Sequence, residues 1–161
     1  MDGEIIMILK DAKQLPKEIK IPKDIAEKVN VLSNCEITED EVTLFNAAIK
    51  AVLEYVSDNN IDLSDYFKLN IFFTYSGELT FLADDDRQCG SQFHLAIYRM
   101  EKLRRLKSHR LMLFVFIEEL AHYFLRIYDE TVMKYKVEKI MKYISPNFTL
   151  DELKGFGLNG L

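Results

Sequence analysis

The feature that most restricts how this chain can fold is an apolar segment in its second half. Residues 111–125 read Leu-Met-Leu-Phe-Val-Phe-Ile-Glu-Glu-Leu-Ala-His-Tyr-Phe-Leu, which places large apolar side chains on nearly every side of a helix. A helix that is apolar all round is typical of a central position in a domain, because a surface helix keeps one polar face. The sequence therefore predicts a buried helix over residues 107–127.

Three polar side chains interrupt this helix and lie close together on it. Glu118 and His122 are four residues apart, so their side chains lie one turn from each other, and Glu119 lies on the adjoining line. Burial of a carboxylate without a partner is unfavourable, so we expect a metal ion, a buried basic side chain or a water-filled cleft to compensate it. The alternative is a narrow polar stripe, extended by Arg126, that faces solvent, with His122 bonded to a backbone carbonyl.

Two further patterns predict the elements that precede this helix. Thr38 and Glu41 have the spacing of a capping box, and the apolar residues behind them recur at helical spacing, which predicts a helix over residues 39–57. Residues 67–75 and 78–82 alternate partially on either side of Ser76-Gly77, which predicts a β-hairpin. The other predicted elements are a strand over residues 4–9, a turn or two of helix around residues 25–32, a strand over residues 93–98 and a last helix over residues 130–144.

These elements predict an α+β fold. We expect a small antiparallel sheet, made of the hairpin and further strands, packed against the central helix and its flanking helices. The sequence has no internal repeat and no linker-like stretch, so a single domain over residues 1–161 is expected.

Composition argues against several kinds of partner. The formal net charge is -5, and the basic residues cluster only locally in residues 102–110, so neither nucleic acid nor an anionic membrane is an expected partner. The longest apolar run is much shorter than a membrane-spanning helix, and the first residues do not resemble a signal peptide. Cys35 and Cys89 lie far apart, as suits a reducing compartment, so a cytoplasmic location is expected.

The motif Glu-Glu-x-x-His at residues 118–122, with the predicted order of helix, hairpin, strand, helix and helix, resembles the zincin metallopeptidases. The likeness is to their minimal gluzincin-type domains and covers residues 39–144. In that family two histidines of His-Glu-x-x-His bind zinc, and the glutamate between them activates the metal-bound water. The resemblance implies that Glu119 is the general base and His122 a metal ligand. Glu118 stands where the family has its first histidine, which makes it a carboxylate ligand.

A third ligand would come from the last helix. If the two helices run antiparallel, a residue one to two turns into the last helix lies beside His122, and Glu138 fits this position best. Asp129 is the expected N-cap of that helix, and Glu130 would lie in its first turn. The alternative for Glu138 is a surface ion pair with a lysine four residues away. Whether Glu130 or Glu138 is the third acidic residue stays open at this point.

The expected cofactor is one divalent metal ion, either zinc or a harder ion such as manganese or iron, unless the site has lost its metal altogether. The first predicted function is a zincin-fold protein with altered or lost metal-dependent peptide hydrolysis, and an inactive homologue is favoured over an active one. The alternative is a non-enzymatic interaction module whose acidic face binds a peptide or protein partner. A carboxylate-rich protein that binds a metal other than zinc is a third alternative.

Overall fold

The computed structural model describes residues 7–9, 13–14, 18–77, 81–83 and 94–155. In these ranges the strands are β1 (Met7–Leu9), β2 (Lys13–Gln14), β3 (Val29–Ser33), β4 (Leu69–Thr74), β5 (Phe81–Ala83) and β6 (His94–Arg99). The helices are α1 (Glu39–Asp58), α2 (Met100–Arg105), α3 (His109–Leu125), α4 (Glu130–Met141) and α5 (Asp151–Lys154), with a short 3₁₀ helix at Lys23–Ile25.

The central sheet is mainly parallel. Its strand order is β2-β3-β4-β6, and β3, β4 and β6 all run in the same direction, while the two residues of β2 pair antiparallel to β3 at the edge. Separately, β1 pairs antiparallel with β5. The α+β class is therefore confirmed, but the predicted small antiparallel sheet is wrong.

The predicted hairpin is also wrong, and burial explains why. The first of its two strands, β4, pairs with β3 and β6, while the second, β5, pairs with β1. All six residues of β4 are buried, as is typical of an interior strand of a parallel sheet that is covered on both faces. Gly77 does take a positive φ of 91°, but the turn it forms does not lead into a strand paired with β4.

Two other segments differ from the prediction. The region expected to form a turn or two of helix is a short 3₁₀ helix followed by β3, whose Val29 and Val31 are β-branched and buried. The basic run contains a helix of its own, α2, which the sequence analysis did not predict. The predicted strand over residues 93–98 is confirmed as β6, and β1 occupies the end of the strand predicted over residues 4–9, whose first residues lie outside the described ranges.

Helix α1 begins at the predicted capping box. Thr38 Oγ1 accepts from the Glu41 amide at 3.2 Å, and Glu41 Oε2 accepts from the Thr38 amide at 2.9 Å. The same carboxylate receives two hydrogen bonds from the Arg104 guanidinium of α2, at 2.7 and 3.0 Å. The helix then connects the parallel strands β3 and β4, as such a crossover requires.

Helix α3 occupies the centre of the helical layer, as predicted. Ten of its 17 residues are buried, and it packs against α1, α4 and β6. Four rings join these elements to the sheet with centroids 4.9 to 5.9 Å apart, mostly edge to face, which is a favourable geometry for aromatic pairs. They are Phe45, Phe73, Tyr98 and Phe116. None of the helices in the described ranges has the length and apolar character that spanning a bilayer requires.

Candidate functional site

The three polar residues of the predicted motif lie in the second half of α3. The helix starts at Ser108, whose hydroxyl accepts from the Leu111 amide at 3.2 Å, and it ends at Arg126, which takes a left-handed conformation with φ 53°. Arg126 stacks on the Tyr66 ring, 3.9 Å from its centroid, and its guanidinium donates to Asp65. These contacts fix where the last turns of α3 lie relative to the sheet.

Glu118 is the most unusual of the three. Only 5% of the residue is exposed, and its Oε1 has no hydrogen-bond partner in the described part of the chain. Burial, then the charges of Glu119 and Glu130, raise its pKa to about 7, although His122 and Lys134 act in the opposite direction. The Glu118 carboxyl therefore exchanges a proton close to neutral pH.

Glu119 is half-buried, and its charge acts on the hydroxyl of Tyr98 in β6. Burial is the main reason that its pKa is raised, and Glu130 adds to this while His122 opposes it. The Tyr98 hydroxyl donates to the Phe116 carbonyl at 2.8 Å inside the core, and burial with the charges of Glu119 and Glu118 raises the pKa of Tyr98 well above its ordinary value. Tyr98 therefore stays neutral in the core.

The His122 ring is held by a backbone carbonyl. Its Nδ1 lies 2.7 Å from the Ile127 carbonyl oxygen, and because a carbonyl can only accept, this nitrogen carries the hydrogen. The other nitrogen, Nε2, lies 3.8 Å from a carboxylate oxygen of Glu130. This separation is longer than a hydrogen bond, and both atoms can accept, so a donor group from a ligand could bind to both.

Helix α4 contributes Glu130 to this cluster. Asp129 caps the helix as predicted, with its side chain accepting from the Val132 amide at 2.9 Å, and Glu130 in the first turn acts electrostatically on both Glu118 and Glu119. Glu138 instead pairs with Lys142 at 3.3 Å, which is the surface ion pair that the sequence left as an alternative. We call Glu118, Glu119, His122 and Glu130 the carboxyl site.

The predicted metal ligands do not form a ready metal site. Among the residues that the structure describes, no three His, Cys, Asp or Glu side chains are grouped so that they could hold a metal ion. The carboxyl site offers one imidazole where a zinc peptidase has two, so its donors do not match the set that the zincin resemblance implies for zinc. The metal roles of Glu118, His122 and Glu138, and the general-base role of Glu119, stay predictions.

The solvent-facing alternative is answered in part. His122 is bonded to a backbone carbonyl as that alternative required, but Glu118 is buried and does not face solvent. Sequence reasoning missed the nearness of Tyr98 and of Lys134, since their distance along the chain gave no signal. It left Glu130 and Glu138 open as the third acidic residue and favoured Glu138, although the position of Glu130 directly after the short connection from α3 indicates that Glu130 lies near His122.

Comparison with known proteins gave no match to a family model, to a curated protein or to a solved structure. The zincin resemblance therefore stays a prediction. One of its supports, the hairpin between the two helical regions, is wrong in this fold.

Proposed function

We propose that this protein binds a positively charged side chain of a peptide or protein partner at the carboxyl site, and that it does not hydrolyse peptides. The observation that carries the proposal is the Glu118 carboxyl, whose Oε1 is buried without a hydrogen-bond partner among the described residues. A buried acid of this kind is unfavourable for folding, so its presence points to a group that it receives in another state of the protein.

The distribution of charge supports a cationic ligand. Three carboxyl groups and one imidazole share the site, and among the described residues Lys134 is the lysine that lowers the pKa of Glu118, with a smaller effect than that of His122. Glu118 lies at the base of the site, while Glu130, with 63% of its side chain exposed, lies at its solvent side. A lysine or arginine side chain entering past Glu130 would find acceptors along its whole path.

The same geometry explains what binding would do to protons. Without a ligand, the Glu118 carboxyl holds a proton for part of the time at neutral pH, because its pKa is raised to about 7. An entering ammonium or guanidinium group favours the ionised carboxylate, so that proton is released to solvent. A positive group near Nε2 of His122 would also lie close to the Glu130 carboxylate, since these two acceptors are 3.8 Å apart.

The loss of peptide hydrolysis is the second part of the proposal. It is supported by the glutamate at the first-histidine position of the motif, and by the pairing of Glu138 with Lys142 rather than with the site. The hydrogen bond from His122 Nδ1 to the Ile127 carbonyl is compatible both with peptide binding and with metal binding, since a metal-binding histidine often donates from its other ring nitrogen in this way.

A calorimetric titration tests the binding. The probes are short capped peptides with one central lysine or arginine, and the controls are the same peptides with acetyl-lysine or citrulline, which keep the shape and lose the charge. We expect binding of the charged peptides only. Because a proton is released, the measured enthalpy should differ between phosphate and Tris buffers. Glu118→Gln should weaken binding and remove the buffer dependence.

Glu138→Gln is the matched control, since it removes a carboxylate of α4 that pairs with Lys142 instead of facing Glu118. It should bind the charged peptides like the wild type. Equal binding of charged and uncharged peptides would overturn the proposal. So would hydrolysis of any peptide that Glu119→Ala abolishes, or tight binding of Zn²⁺ or Mn²⁺ that His122→Ala abolishes, because either result would restore the metallopeptidase interpretation.

A further inference from the structure

Exposed apolar side chains of the described residues are most frequent on α4 and beside its ends. Nine large hydrophobic residues are exposed in the described ranges, of which two lie on α4 and three within three residues of its ends. These five are Tyr128 (78% exposed), Val132 (45%), Tyr135 (60%), Tyr143 (41%) and Ile144 (40%). Single exposed apolar residues are ordinary, whereas a group of this kind along one helix marks a surface for contact with another molecule.

The spacing of these residues shows that they form one face. Val132, Tyr135 and Lys139 follow each other at intervals of three and four residues, so they lie along one side of the helix, while Tyr128 precedes the N-cap residue Asp129. The opposite side packs into the core through Met133 and Val137, which are wholly buried. The chain therefore uses the inner side of α4 for folding and leaves an outer side that includes a tyrosine, a residue that often dominates the energy of protein interfaces.

Charge along α4 is divided between its two ends. Asp129 and Glu130 are exposed at its start, while the exposed Lys139 and Lys142 lie toward its end. Of these two lysines, only Lys142 has a carboxylate partner among the described residues, which is Glu138. Two copies of such a helix attract each other when they run antiparallel, because the acidic end of each then lies beside the basic end of the other.

We propose that the outer face of α4 binds the same face of a second copy of this chain in an antiparallel, two-fold arrangement. We define this outer face as Val132, Tyr135 and Lys139 of α4; Tyr128 lies beyond one end of the helix and Tyr143 beyond the other, where its hydroxyl donates to Asp58 of α1. A two-fold contact uses the same patch on both copies, so the residue at the middle of the face meets its own counterpart. That residue is Tyr135, while Val132 of each copy lies nearest Lys139 of the other.

The size of the face sets the strength of the contact. α4 has 12 residues, or about three turns, so two such helices cover less than the roughly 1,200 Å² that stable interfaces start from. The dimer is therefore weak and depends on protein concentration. Glu130 belongs to the carboxyl site and also to the acidic end of α4, so in this arrangement the basic end of the other copy lies beside the solvent side of that site.

Sedimentation velocity from low micromolar to near-millimolar protein tests this inference. The expected result is a monomer at low concentration and a dimer at high concentration, with dimerisation weakened by salt. Tyr135→Glu should raise the dimer dissociation constant about tenfold or more, because it places two like charges at the centre of the contact. Lys139→Glu should weaken the dimer by less, since it lies away from the two-fold axis.

Tyr75→Glu is the matched control, since Tyr75 is a tyrosine of similar exposure, 55%, outside α4. It should dimerise like the wild type. A protein that stays monomeric over the whole concentration range would overturn the inference, and so would a dimer that Tyr135→Glu and Tyr75→Glu weaken equally. Far-ultraviolet circular dichroism of each variant separates a lost contact from a lost fold. Binding of lysine peptides by the Tyr135→Glu variant would show that peptide binding at the carboxyl site does not depend on dimerisation through α4.

Discussion

Two buried glutamates of this protein have nearly the same exposure and opposite chemistry. Glu41 of α1 is 6% exposed and Glu118 of α3 is 5% exposed. Glu41 accepts from the Thr38 amide and from the Arg104 guanidinium, and these bonds outweigh its burial, so its pKa is lowered. Glu118 has an oxygen without a partner in the described residues, and burial raises its pKa to about 7.

The comparison shows that burial alone does not decide the charge of a carboxyl group. A guanidinium and a free helix amide make the ionised form of Glu41 part of the fold. Without such donors, the uncharged form of Glu118 is favoured, and the acid is available for a ligand that carries its own positive charge. Glu41 therefore serves stability, while Glu118 is the better candidate for function.

The largest expected effect is on the pH dependence of the free energy of unfolding, to which Glu118 and Glu41 should contribute with opposite signs. Because the pKa of Glu118 rises from 4.5 to about 7 on folding, the folded chain holds more protons between these values, and its contribution to stability is lost as pH rises through 7. The free energy of unfolding of wild type relative to Glu118→Gln should therefore fall by about 3 kcal/mol between about pH 4 and pH 8. Urea denaturation of both proteins across this range measures it.

Glu41 supplies the control of opposite sign. Its pKa is lowered in the folded chain, so its contribution is present above its ordinary value of 4.5 and is lost as pH falls through the folded value. Relative to Glu41→Gln, the wild type should therefore lose stability toward acid. If the stability difference between wild type and Glu118→Gln changes with pH in the same direction as that between wild type and Glu41→Gln, the contrast between the two glutamates is wrong.

The next largest effect is expected from Arg104→Ala. This change leaves the Glu41 carboxylate buried without its guanidinium partner, and we expect a loss of about 2 kcal/mol in the free energy of unfolding at neutral pH. The value lies below that of a fully buried pair because about a third of the Arg104 side chain, 34%, is exposed. Thermal denaturation measures the loss. Arg105→Ala, which removes a mainly exposed pair with Glu101, should cost much less.

How much of this could be read from the sequence depends on distance along the chain. The capping box of Thr38 and Glu41 and the N-cap Asp129 are local patterns, and both are confirmed. The central position of α3 followed from its own apolar residues. Strand pairing was not predictable in this way, because the near-continuous apolar run of β4 is compatible with a hairpin and with the interior of a parallel sheet. The strands that pair with it, β3 and β6, are distant in the sequence.

The candidate site divides in the same way. The grouping of Glu118, Glu119 and His122 follows from helical spacing alone. The ion pair between Arg104 and Glu41 joins residues 63 positions apart, so no local pattern indicates it. The choice between Glu130 and Glu138 depended on where α4 begins relative to the end of α3. The short connection between α3 and α4 places the first helical turn of α4 near the site. Glu130 rather than Glu138 therefore acts on Glu118.

A smaller effect is expected at α3 from Glu118→Leu. The variant removes a carboxyl that lacks a full set of partners and puts an apolar side chain in a buried position, so we expect a gain of about 1 kcal/mol in the free energy of unfolding at pH 8. Glu41→Leu should lose stability under the same conditions, because it deletes the carboxylate that accepts from the Thr38 amide and leaves Arg104 without its partner. Chemical denaturation of both variants at pH 8 measures the difference. Destabilisation by both would show that Glu118 has partners in the fold after all.

The smallest expected effect is that of Glu130→Gln. It removes a like charge that raises the pKa of Glu118, so the midpoint of the pH dependence described above should move to lower pH by less than about one unit. The shift is small because 63% of the Glu130 side chain is exposed, and solvent screens its charge. Glu138→Gln should leave that midpoint in place, and an equal shift from both changes would contradict the assignment of Glu130 to the site.

The most direct test is a titration of the Glu118 carboxyl carbon by nuclear magnetic resonance in protein labelled with ¹³C-glutamate. Glu118→Gln identifies the resonance, and Glu41 in the same spectra provides the comparison. The predicted result is a midpoint of about 7 for Glu118 and a midpoint below 4.5 for Glu41. A Glu118 midpoint at or below 4.5 would mean that the folded chain already stabilises the ionised carboxylate, and the case for a cationic ligand at this site would be lost.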